Sequence, residues 1–119
     1  MTARAQNTTS HTYGSNYTIM PAHVTITRAQ LDTARAHADA SLRELRPLYG
    51  YTYYDDAVAI NYRRTDSFGE LYWEPLGVIL FAPASGQSDL LDIYALEVAE
   101  GCTRDDVESH IALLFGTDD

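Results

Sequence analysis

Two adjacent carboxylates, Asp55 and Asp56, follow two adjacent tyrosines, Tyr53 and Tyr54. Hard oxygen ligands of this kind hold magnesium, and a paired set can carry phosphoryl or nucleotidyl transfer. That chemistry needs a further carboxylate and a basic surface for the nucleic acid. Glu70 and Glu74 lie on the same central stretch and could converge with the pair, although spacing alone does not establish it. The competing reading is a turn, because Asp is a favoured turn residue and Asp55-Asp56 separates "LYGYTYY" from "AVAINY". The turn is preferred.

The same four letters match the Tyr-x-Asp-Asp pattern of reverse-transcriptase-like polymerases, and the rest of the chain argues against it. With 119 residues there is room for one domain and none for a polymerase palm. The formal net charge is −9, all eight basic residues are Arg, and 11 of the 17 acids are Asp. Phosphate binding draws on clusters of Lys and Arg, so nucleic acid is not expected as a direct partner, nor is an anionic membrane. A hydrophobic content of 45% supports a folded core.

Other chemistry is thinly represented. His11, His23, His37 and His110 have no metal-ligand spacing, and Cys102 is the single cysteine. A thiol just ahead of a helix can have its pKa lowered by the dipole, but no base accompanies Cys102. Phosphate-cradling glycine loops and the Gly-x-Ser-x-Gly elbow are both absent. No catalytic residue, metal or cofactor is implied. With no apolar stretch after Arg4 a secretory leader is not expected, and no apolar run approaches the roughly 20 residues of a spanning helix. The expected setting is the cytoplasm, or a virion if the source is viral.

The tyrosines remain. Tyr49, Tyr51 and Tyr53 alternate and share one face of an extended segment, with Tyr54 on the other. Tyr62, Tyr72 and Trp73 fall on neighbouring strands. Tyr and Trp are enriched at the centres of protein interfaces. They also pack across strands, and the two readings carry equal weight here.

The elements that would position these residues can be read from period and caps. Residues 1–16 are polar and without period, which suggests a flexible arm ahead of a domain spanning 17–119; Met20 is an alternative start. "YTIMPAHVTIT", Tyr17 to Thr27, reads as an edge strand because Pro21 cannot donate to a ladder. Thr27 and Gln30 form a capping-box pattern, opening a helix with Leu31, Ala34, Ala38, Leu42 and Leu45 inward and ending near Arg46 at Pro47. Ala57 to Tyr62 is a strand, Arg63 to Gly69 a turn, and Glu70 to Ala82 one bent strand or two around Pro75 and Gly77. Pro83 to Ser88 is a loop. Leu90 to Val98 fits either period, with the strand favoured. Thr103 caps a last helix with Val107, Ile111 and Leu114 inward, ended by Gly116. The fold class is α+β: a mostly antiparallel sheet of four to five strands with two helices packed on one face.

The function expected is a small acidic module that binds another protein, one with a basic surface being the best complement. Its surface would comprise Tyr49, Tyr51, Tyr53, Tyr54, Asp55 and Asp56, extended by Tyr62, Tyr72 and Trp73. Inhibitors, immunity proteins and mobile-element regulators work this way. The alternatives are a virion or assembly subunit using the arm, with self-association, and, less favoured, a carboxylate-dependent enzyme.

Overall fold

The computed structural model describes residues 16–43 and 48–116. The expected arm up to residue 15, the segment 44–47 where the first helix was expected to stop, and residues 117–119 lie outside the described residues. The described elements are β1 (Tyr17–Thr27), α1 (Arg28–Arg43), β2 (Tyr49–Tyr53), β3 (Ala57–Thr65), β4 (Leu71–Ala84), β5 (Gln87–Ala99) and α2 (Arg104–Phe115). The strands form one antiparallel sheet in the order β1-β5-β4-β3-β2. The class is α+β, as the strand and helix signals imply.

Local chemistry accounts for both helix starts. The Gln30 amide donates to the Thr27 hydroxyl at 3.0 Å, and the Gln30 side chain accepts from the Thr27 N–H at 2.8 Å. This reciprocal box satisfies two donors that a helix start leaves open. Thr103 and Asp106 repeat the device at α2. Gly116 ends α2 in the left-handed region at φ 68°, its N–H bonded to the Ala112 carbonyl at 2.8 Å.

Three expectations change. The turn expected over Arg63 to Gly69 is shorter, because β3 runs on through Thr65 and pairs Arg63 with Trp73 and Arg64 with Tyr72. Asp66 closes that hairpin by itself, its carboxylate accepting from the Phe68 and Glu70 amides at 2.8 and 2.9 Å. The loop expected over Pro83 to Ser88 contracts to a tight turn at Ser85-Gly86, with Gly86 at φ 73° and strand on both sides. In α2 the buried residues are Val107, His110, Ile111 and Phe115, while Leu114 is half-buried.

Between Glu70 and Ala82 the chain makes one bent strand. Asn61 pairs with Pro75 and Ile60 with Gly77, so Leu76 has no opposite number and the ladder bulges there. Gly77 lies beneath α2, where an added Cβ would collide with the Val107 side chain and the Glu97 carbonyl. The main core joins Val58, Ile60, Ile79, Phe81, Ile93 and Leu96 of the sheet to Leu31 and Ala34 of α1 and to Val107, Ile111 and Phe115 of α2. A fully buried Ile, Leu or Phe stabilises by roughly 2 kcal/mol. The helices also meet directly, where the Gln30 amide nitrogen donates to the Phe115 carbonyl at 2.8 Å.

Candidate functional site

Alternation along β2 sends Tyr49, Tyr51 and Tyr53 to the side of the sheet that carries the main core, where all three pack half-buried. There they meet α2. The Tyr51 hydroxyl lies 2.9 Å from His110 Nδ1, and the Tyr49 ring stands edge-on to the imidazole at 4.6 Å. Tyr62, opposite Tyr49 on β3, completes the group at 5.3 Å. His110 is 3% exposed. Its burial holds the imidazole below its usual pKa, with Asp106 one turn earlier opposing the shift, so the ring is neutral near pH 7. Burial also raises the Tyr51 hydroxyl above its ordinary value, with Tyr53 and Tyr49 adding to the effect. Tyr53 lies under the Arg35 guanidinium, 5.6 Å from the ring centre.

Beside this aromatic group runs an open cleft of about 480 Å³. Tyr49 and Tyr62 wall it on the sheet side; Cys102, Asp105, Asp106 and Ser109 wall it on the α2 side. Arg64 spans its rim, lying 4.9 Å above the Tyr62 ring and hydrogen-bonding through Nε to Glu74. Cys102 does not follow the helix-dipole expectation. Burial pushes its thiol pKa up, and the carboxylates of Asp106 and Glu74 push the same way. The cleft therefore holds a protonated thiol rather than a nucleophile at neutral pH. Among the described residues no three His, Cys, Asp or Glu side chains are placed to hold a metal ion.

The nine candidate residues do not form one surface. From Ala57, beside Tyr54, to Tyr62, opposite Tyr49, and on to Arg64, opposite Tyr72, β3 covers roughly 17–23 Å. Tyr53, Tyr54, Asp55 and Asp56 lie at the turn before it, where the Tyr54 amide donates to the Ala57 carbonyl at 2.8 Å and the Phe81 amide to the Asp56 carbonyl at 3.0 Å. Asp55 and Asp56 are exposed turn residues. Tyr49, Tyr62, Tyr72 and Trp73 gather toward the opposite end. Tyr72 and Trp73 are exposed and point to opposite faces of β4. Trp73 covers Gly50, its ring carbons 3.1–3.4 Å from where a Cβ would stand.

Sequence reasoning missed two parts of this arrangement. His110 sits three residues after Val107 and one before Ile111, on the apolar stripe of α2, and that spacing was its signal. The hairpin tip is the other part. From Arg64 to Glu74 every residue is exposed, and Phe68, at 87%, heads an apolar set with Leu71, Tyr72 and Trp73. Among the described residues no helix is long and apolar enough to cross a membrane. The chain matches no protein-family model, no curated protein and no solved structure.

Proposed function

We propose that this chain is a small acidic protein-binding module, a regulator or inhibitor that holds its partner by the β3–β4 hairpin tip. The observation that carries the reading is the exposure of Phe68 and Leu71 at the tip of a hairpin whose residues from Arg64 to Glu74 are all exposed, with Tyr72 exposed on the opposite face of β4. Large apolar side chains clustered in solvent mark interaction sites more often than scattered ones do. Aromatic anchors of this kind supply most of the binding energy where they enter a pocket. The net charge of −9 favours a partner with a basic surface, by speeding encounter and rejecting acidic competitors. Asp55 and Asp56, at the far end of β3, then act through the long-range field rather than by contact.

The test uses the full chain as bait in its native host extract, alongside Phe68→Ser and Leu71→Ser variants. A partner retained by the wild type and lost by both variants, with unchanged thermal melts, supports the reading. Retention that ignores both changes overturns it. Recovery of assembly components through the arm, residues 1–16, would favour the structural-subunit alternative.

A further inference from the structure

The sheet has two edges, and they differ. β1 carries Pro21 and a register break between Pro21 and Val24, both of which blunt an edge against pairing. β2, "YGYTY", carries no proline, no charge and no bulge. Two hydrogen bonds establish its phase: Arg63 N–H to the Leu48 carbonyl at 2.9 Å and Tyr54 N–H to the Ala57 carbonyl at 2.8 Å. Bonded and non-bonded pairs alternate in an antiparallel ladder. With the observed register, the even-numbered residues of β2 turn their backbone groups to β3, and Tyr49 and Tyr51 turn theirs outward.

One face of this edge is also apolar. Leu48 and Tyr54 are exposed on the side opposite the tyrosine packing, and between them the half-exposed Trp73 packs over Gly50. We propose that β2 pairs antiparallel with β2 of a second copy of this chain, about a two-fold axis at Gly50. In that register Tyr49 of each copy exchanges both backbone bonds with Tyr51 of the other, as the phase requires. Gly50 meets Gly50 at a close non-bonded position, where Cα atoms stand about 4.5 Å apart. The two Trp73 rings, each covering its own Gly50, close over the seam, and Leu48 faces Thr52. The occupant is a second copy because the strand complements itself. Phase, the missing side chain at the axis and the apolar stripe all match under one rotation.

A five-residue ladder with one apolar stripe belongs with small interfaces, below about 1,200 Å² in total, so the pairing is weak and concentration-dependent. The charge of −9 on each copy opposes it, and added salt strengthens it by screening.

Trp73 is the single tryptophan, so its emission reports on the seam. Sedimentation equilibrium and emission are followed together from micromolar to millimolar chain. The expected mass rises from 13.3 kDa toward twice that value, and emission moves to shorter wavelength with the same midpoint. Thr52→Glu, which sets a charge against Leu48 and adds to the repulsion between copies, weakens association at least tenfold with an unchanged melt. Phe68→Ser, which tests the hairpin reading, leaves association alone, so the two ideas fail separately. Amide exchange at Tyr49 and Tyr51 slows as concentration rises, which tests the ladder even if the Thr52 variant does not fold. A mass of 13.3 kDa at millimolar concentration overturns the proposal. So does a dimer that forms with Trp73 emission unmoved and amide exchange at Tyr49 and Tyr51 independent of concentration.

Discussion

The Tyr51 hydroxyl reaches His110 Nδ1 across 59 residues of sequence, tying the edge strand β2 to the final helix. The bond lies in a half-buried pocket that keeps the imidazole neutral. A base whose folded pKa is depressed contributes stability that is full above its unfolded value of about 6.5 and is lost as pH falls through the folded value. Thermal melts should therefore drop below pH 6.5, and His110→Phe should flatten that slope. Tyr51→Phe should cost about 1 kcal/mol by chemical denaturation at pH 7.5, the worth of one partly buried hydrogen bond.

Glu97 has the opposite sign. It is 8% exposed on the other face of the sheet, between the cross-strand neighbours Ile19 and Val78, and burial raises its carboxyl pKa. An acid with a raised folded value contributes stability that is full below its unfolded pKa and is lost as pH rises through the folded one. Glu97→Gln should raise stability on the order of 1 kcal/mol at pH 8 and leave it unchanged at pH 4. Equal melts for both proteins at pH 8 would contradict this.

Gly77 is where the bulged strand lets α2 approach. Gly77→Ala should destabilise on the order of 3 kcal/mol, because backbone on one side and Val107 on the other leave no room. Adding Val107→Ala should restore only part of that loss, since the Glu97 carbonyl cannot move aside. Urea unfolding of the single and double variants separates the two clashes.

Cys102 should be slow to alkylate at pH 7.5 relative to the urea-unfolded chain, and its rate should climb only above the ordinary thiol range. Cys102→Ser should leave partner binding intact. A reactive thiol at neutral pH would restore the nucleophile reading.

What was legible beforehand was local. Thr27 with Gln30, Thr103 and Gly116 announce helix ends because caps are made within four residues. β1 and its Pro21 were readable for the same reason. The hairpin tip was not, since "RRT" is polar and its strand character comes from pairing with Leu71 to Trp73 across the turn. Leu90 to Val98 fits either period in isolation, and flanking β1 and β4 make it a central strand. The division of the tyrosines had no local signal either. Alternation put Tyr49, Tyr51 and Tyr53 on one face, but only the positions of α2 over Tyr49 and Tyr51 and of α1 over Tyr53 made that face an inner one.

The strand order also shapes how the chain acquires its structure. β2 through β5 pair each with the next, but β1 pairs with β5, so that Thr27 lies opposite Leu90, 63 positions on (90 − 27). During synthesis at about 5–20 residues per second, β1 leaves the ribosome several seconds before its partner exists. Until then its apolar face, Ala22 and Ile26 included, has no ladder to join. The meander can zip by short loop closures, whereas docking of β1 carries the large loop-closure entropy and is the step that slows folding. Pro21 and the register break beside it thus guard the strand that waits longest, when pairing with a neighbouring nascent chain is the main hazard.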